Sequence, residues 1–146
     1  MLVNCTVGEN IRVIEPVNIY GANLGDNVQV GPFTEIQSDV TIGRGTKIQS
    51  HSFICSLVVI GENCFIGHGV MFTNDLLRDG PAMGDNSKWG ATRIGNRVSI
   101  GSNVTLLPVN VCDDVVIGAG AVVTKDITVP GTYVGNPAKI IGRNAI

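Results

Sequence analysis

Two histidines, His51 and His68, are the only imidazoles in 146 residues. An imidazole is the side chain best suited to exchange a proton near neutral pH. Close behind His68 comes Thr73-Asn74-Asp75, then a stretch that holds the single tryptophan, Trp89. An amide can orient a reacting group but cannot act as a base, so Asn74 reads as an orienting residue. Asp75 either holds a hydroxyl of a bound molecule or caps the start of a loop, as Asp often does. Trp89 is either a platform for a ligand or a pin that holds its loop to its neighbour. The four cysteines, Cys5, Cys55, Cys64 and Cys112, contain no Cys-x-x-Cys pair. A catalytic zinc wants three protein ligands. Two histidines 17 positions apart do not supply them, so no metal is expected.

The balance of 10 Lys+Arg against 12 Asp+Glu, formally −2, argues against nucleic acid as the main partner. Charged residues are 15% and apolar residues 44%, with Val and Ile far more numerous than Leu. That bias favours strands over helices. No segment reaches the apolar length of a membrane span. Met1 to Cys5 show no basic stretch leading into a long apolar run, so no signal peptide is expected. Together with the cysteine pattern, this gives a reduced, cytoplasmic protein and a single domain over residues 1–146 as the expectation.

The elements that must position these residues follow from an internal repeat. Aliphatic or aromatic anchors fall at Leu24, Val30, Ile36, Ile42, Ile48, Ile54, Ile60, Ile66 and Phe72, in steps of six. Earlier members are Val7, Val13 and Ile19. The series resumes at Ile94, Ile100 and Leu106, then runs Val111, Ile117, Val123 and Val129. Gly follows the anchor at eight of these positions, and a small or β-branched residue stands four past it. A period of six is neither the 3.6 of a helix nor the alternation of an ordinary strand. It fits a short strand and a tight turn, repeated, with three units closing a triangular coil of 18 residues. Leu24 then stacks on Ile42 and Ile60, Val30 on Ile48 and Ile66, and Ile36 on Ile54 and Phe72. Anchors and the residues four past them should fill one inner column, with Gly and Asn at the corners. No coil buries its own apolar side, so stability must come from stacking.

The count fails between Phe72 and Ile94. The interval, about 73–93, is rich in Gly, Asp and Asn and reads as a loop thrown out from one corner. Loops on a rigid scaffold are favoured binding sites. His51, three past Ile48, and His68, two past Ile66, should face outward along one corner region of adjacent coils. Asn74, two past Phe72, is equivalent to His68 on the next corner. His68, Phe72, Asn74 and the loop are therefore expected to form one surface.

This hexapeptide pattern resembles the left-handed parallel β-helix of the hexapeptide-repeat acyltransferases over about residues 7–140. The resemblance implies the left hand; the period alone does not. Ile66-Gly67-His68-Gly69-Val70-Met71-Phe72-Thr73-Asn74-Asp75 looks like the motif of the branch that acetylates amino groups of nucleotide-linked sugars. Ile117-Gly118-Ala119-Gly120 and Gly135-Asn136-Pro137-Ala138-Lys139 resemble the final coils of many acetyl-coenzyme A-dependent members. The resemblance implies an N-acetyltransferase that moves acetyl from acetyl-CoA to the amine of a dTDP- or UDP-linked deoxyamino sugar, a 3-amino sugar foremost. It implies a homotrimer with active sites between subunits. His68 and Asn74 would be catalytic, and His51, Asp75, Arg78 and Trp89 would bind the acceptor. Gly118, Ala119, Gly120, Lys125 and Lys139 would hold the coenzyme, with backbone N–H groups near Gly118 to Gly120 facing the oxyanion.

Two features depart from that family's pattern. Leu106 to Val111 is a step of five, and Cys112 takes a usual Gly place. Leu76-Leu77-Arg78 stands where Tyr-Pro-Arg is common, which weakens any transfer of the branch's exact sugar specificity. The alternative reading is a sugar O-acetyltransferase of the same fold, with His68 as an obligatory general base. A purely structural β-helix would need neither His68 nor Asn74 beside a loop.

Overall fold

In a computed structural model, which describes residues 1–82 and 84–143, short parallel strands build a three-faced coil of the left-handed β-helix type. Face A runs through Leu2–Val3, Asn18–Tyr20, Glu35–Ile36, Phe53–Ile54, Met71–Phe72, Thr105–Leu106 and Val122–Val123. Face B stacks Thr6–Val7, Asn23–Leu24, Thr41–Ile42, Val58–Ile60, Thr92–Ile94 and Asn110–Val111. Face C stacks Arg12–Val13, Gln29–Val30, Lys47–Ile48, Phe65–Ile66, Ser99–Ile100 and Val115–Ile117, and ends in Gly131–Val134 and Lys139–Gly142. Anchor lies on anchor: Leu24 pairs with Ile42 and Ile42 with Ile60, while Val30 pairs with Ile48 and Ile48 with Ile66.

Each strand is two to four residues long. Inward anchors and outward neighbours alternate by the pleat of the strand. The anchors from Ile36 to Ile117 are essentially inaccessible, and Phe72 is the bulkiest side chain in the column. The positions four past the anchors are buried too, including Thr34, Thr46, Ser52 and Cys64. The buried hydroxyls are satisfied. Thr46 Oγ1 donates to Gly61 O at 2.8 Å and accepts from Cys64 N at 3.0 Å. Ser52 Oγ donates to Gly67 O at 2.9 Å. Among the described residues no buried side-chain polar atom is left unpaired.

Two constraints shape the corners, and they fall on different residues. Where Gly follows the anchor, coils touch so closely that a side chain has no room: a Cβ on Gly43 would lie 2.5 Å from Gly61 O. The residue three past the anchor is left-handed, at Asn27, Asn63, Asn103 and Asp114, but also at Phe33, His51 and Leu57. Asn and Asp tolerate that region better than bulky residues do.

Ile60 pairs with Ile94, so the whole insertion is a loop thrown out from one corner, within the step from face A to face B, as expected. Three expectations are corrected. The final anchor is Ile127, buried and bridged to Val111, while Val129 is half-buried. The chain there leads into Pro130, and Val129 O instead accepts the Tyr133 hydroxyl at 2.6 Å. The Gly-Asn-Pro-Ala-Lys stretch is not a coil but the turn of an antiparallel hairpin that closes face C. At the other end Val7 is exposed and Val13 half-buried, because no coil lies beneath them. Among the described residues no helix is long and apolar enough to cross a membrane.

Candidate functional site

His68 stands at the corner between faces C and A, just past the Phe65–Ile66 strand, and its ring is exposed. Its backbone is clamped. Asn103 N donates to His68 O at 2.8 Å, and Gly67 beside it lies so close to Gly101 that a Cβ would meet backbone at 2.8 Å. Its ring is oriented from one coil below, where Ser50 Oγ lies 2.9 Å from Nδ1. With Nδ1 engaged there, Nε2 is the nitrogen free to meet a ligand. The spacing alone reveals Ser50, since 68 minus 18 falls on it, yet the residue types did not single it out.

His51 occupies the same corner, as expected. It adopts φ 63°, and its ring tilts against Phe33 at a centroid distance of 5.0 Å. Phe33, Phe65 and Met71 are all exposed around this corner. The two histidines thus share a corner region that also carries exposed apolar side chains.

Asn74 lies elsewhere, at the corner between faces A and B. The Met71–Phe72 strand separates it from His68, and Phe72 is fully buried. The single surface expected from His68, Phe72 and Asn74 therefore does not exist within one chain. Hexad equivalence puts residues on equivalent corners, not on the same one. Asn74 pinches the base of the loop. Its Nδ2 donates to Ser56 O at 3.2 Å, and its carbonyl accepts from Gly90 N at 2.8 Å.

Within the loop, Asp75 Oδ1 accepts from Leu77 N at 2.7 Å, which is the loop-start contact of an Asx turn. Asp85 does the same for Ser87 N at 2.9 Å, and that bond holds its carboxyl below the usual range. Lys88 Nζ meets Asp79 Oδ2 at 2.8 Å in an exposed pair. Arg78 is exposed beside them. Trp89 is half-buried and forms one wall of a shallow cup with Asp75, Asp79, Asp85 and Lys88.

At the C-terminal coils, Gly118 N donates to Tyr133 O at 2.8 Å and Gly120 N to Ser102 O at 2.9 Å. Both N–H groups are therefore used inside the solenoid. Of the expected oxyanion donors in that stretch, only the exposed Ala119 amide carries no such bond. Gly120 is left-handed at φ 74° with open space around it. Lys125 and Lys139 are exposed, and Ala138 N donating to Val122 O at 2.9 Å lays the hairpin turn beside the strand that precedes Lys125.

The thiols are free. Burial pushes Cys55 up to about 11, and it raises Cys64 and Cys112 as well. They behave as small apolar groups and not as nucleophiles. Among the described residues, no three His, Cys, Asp or Glu side chains gather as metal ligands.

Residues 36–146 match the family model of the GMPPB C-terminal domain. The bifunctional protein GlmU of Thermotoga petrophila is 28% identical over 96% of this chain and 33% of its own length. The chain thus spans about a third of the curated relatives it matches. Among solved structures, AntD, an N-acyltransferase from Bacillus cereus in complex with dTDP and coenzyme A, superposes with a TM-score of 0.84 at 21% identity. It covers 97% of this chain and 84% of AntD. A maltose O-acetyltransferase from Clostridium difficile 630 gives 0.58 at 27% identity, over 97% of this chain and 70% of its own.

Proposed function

The chain belongs to the GMPPB C-terminal domain family, and from that premise we propose that it is an acetyl-CoA-dependent N-acetyltransferase acting on a nucleotide-linked deoxyamino sugar. The observation that carries this reading is His68: an exposed imidazole, oriented through Nδ1 by Ser50, on a left-handed β-helix. The fold is shared with an N-acyltransferase and an O-acetyltransferase.

The neutral amine attacks the thioester carbonyl, forming the C–N bond, and the C–S bond then breaks to release the coenzyme thiolate. The nitrogen loses one proton to His68 Nε2, which passes it to the leaving thiolate. As the imidazole becomes cationic, Nδ1–H donates to Ser50 Oγ and holds the ring in place. The Ala119 amide is the donor we assign to the oxyanion in the C-terminal stretch. Lys125 and Lys139 supply charge for the coenzyme phosphates.

The two halves of the machinery, the His68 corner and the Asn74 loop, sit on different corners of one chain. A cyclic assembly brings unlike patches of neighbouring copies together. A homotrimer in which the His68 corner of one copy meets the loop of the next completes the site. Burial of Phe33, Phe65 and Met71 favours that contact. His51, Asp75, Arg78 and Trp89 then face the acceptor. Four free thiols fit a cytoplasmic protein.

The test is thiol release from acetyl-CoA with dTDP- and UDP-linked 3-amino and 4-amino sugars, and with the matching hydroxy sugars. Turnover confined to amines supports the reading. Release only with a hydroxy sugar replaces it by O-acetylation, the reading that the Clostridium difficile likeness favours.

A further inference from the structure

Where the loop comes back to the coil it closes a second, larger groove of about 430 Å³ on the N-terminal side of its base. One wall is Asn86 and Trp89 from the loop. The other is Tyr20, Gln37, Ser38 and Asp39 from coils nearer the N-terminus. These residues share one corner, between faces A and B, because Tyr20 follows the Ile19 anchor and Ser38 and Asp39 follow Ile36. The wall is rigid. Gln37 Oε1 accepts from Ser56 N at 3.2 Å, its Nε2 donates to Glu35 at 3.0 Å, and Asp39 N donates to Gly21 O at 3.1 Å with φ 59°. The Asp39 carboxylate, the Ser38 hydroxyl and the Asn86 side-chain amide carry no bond to other described residues.

We infer that this groove binds the pyranose ring of a carbohydrate. Tyr20 and Trp89 both line the groove and are half-buried, leaving part of each ring open to the C–H surface of a sugar. Asp39, Ser38 and Asn86 offer acceptors and donors to its hydroxyls. Among the described residues no Lys or Arg lines the groove, and Asp39 makes it negative. A diphosphate is therefore excluded from it, while a neutral ring or a protonated amino sugar is admitted. The cup inside the loop is a poorer candidate, since its carboxylates already serve Leu77 N, Ser87 N and Lys88. The inference deepens the acceptor reading above, by placing the sugar ring, yet it rests on the lining of the groove itself.

Trp89 is the only tryptophan, and it walls both this groove and the cup, so its emission reports binding and the Tyr20 and Asp39 variants, which touch only the groove, assign the binding to it. The full chain, without coenzyme, is titrated with glucose, glucosamine, UDP and UDP-glucose. Saturable emission changes are expected with both monosaccharides and with UDP-glucose, and none with UDP. Tighter binding of UDP-glucose than glucose identifies a nucleotide-linked sugar as the source, and equal affinity identifies a free glycan. Tyr20→Ala and Asp39→Asn should each weaken the glucosamine response about tenfold, while Tyr20→Phe keeps it. Circular dichroism checks that each variant folds. Silence with every sugar, an equal response to UDP alone, or binding that survives Tyr20→Ala overturns the inference. Thiol release is read separately. Turnover without groove binding sinks only the inference, and groove binding without turnover sinks only the acetyltransferase reading.

Discussion

Ser50→Ala tests the proton-transfer role of His68 more sharply than removal of the histidine does. Ser50 Oγ is 2.9 Å from His68 Nδ1, across one coil. Before reaction that bond joins neutral groups, worth about 0.5–1.5 kcal/mol. Once His68 carries the proton it becomes charge-assisted, worth about 1.5–3 kcal/mol. The difference, about 1 kcal/mol, is present only when the proton has moved, and the exposed corner screens part of it. Ser50→Ala should thus lower kcat about three- to tenfold and leave both KM values unchanged, the signature of an interaction made only in the transition state. His68→Ala should cost about 100-fold when the acceptor is an amine, near the low end for a lost general base, because the coenzyme thiolate shares the task. A loss of about 10,000-fold instead points to a hydroxyl acceptor. In the His68→Ala background, Ser50→Ala should cost nothing further, giving a coupling energy of about 1 kcal/mol. Steady-state thiol release on the four proteins measures all of this. Equal losses from Ser50→Ala with and without His68 refute the orienting bond. A His68→Ala enzyme within about threefold of the wild type refutes the base.

Phe72→Ala removes the largest side chain of the column and should cost about 3–5 kcal/mol, a fall in Tm of roughly 6–20 °C for a chain of this size; calorimetry showing under about 3 °C would contradict a continuous core at that coil. Asn74→Ala frees the loop base from Ser56 O and should raise the acceptor KM several-fold with little change in Tm; unchanged kinetics would remove Asn74 from the site. Cys55 is held up at about 11 against 9.0 unfolded. Below pH 9 both states keep the thiol protonated, and between 9 and 11 only the unfolded chain ionises. Stability should therefore fall across that window, by an amount on the order of 2–3 kcal/mol. Cys55→Ala should flatten urea-unfolding profiles there, and an unaltered slope would assign the alkaline loss to other groups.

The inner column was legible from residues alone. A pleated strand sends alternate side chains in and out, so six-residue spacing of Leu24, Val30 and Ile36 separates core from surface, and the 18-residue sum sets which anchor meets which. The same arithmetic could have paired Ser50 with His68, because a constant coil length makes sequence offset equal to spatial neighbourhood. It failed at Val129, where Pro130 and a short corner moved the buried position to Ile127. Of the amides that the resemblance offers to an oxyanion, those of Gly118 and Gly120 are consumed by the coil-to-coil ladder, and the period gives no sign of it.

The sequence by itself determined the repeat, the inward residues, the outward histidines and the place where the loop leaves, since each depends only on local period and on apolar groups avoiding water. Only the tertiary structure decided that Asn74 and His68 stand on separate corners, and that Asn86 and Trp89 come back to face Tyr20 and Asp39 across one groove. A loop has no period, and its return path brings residues as far apart as 20 and 89 to the walls of that groove. Such neighbourhoods leave no regular signal in the chain.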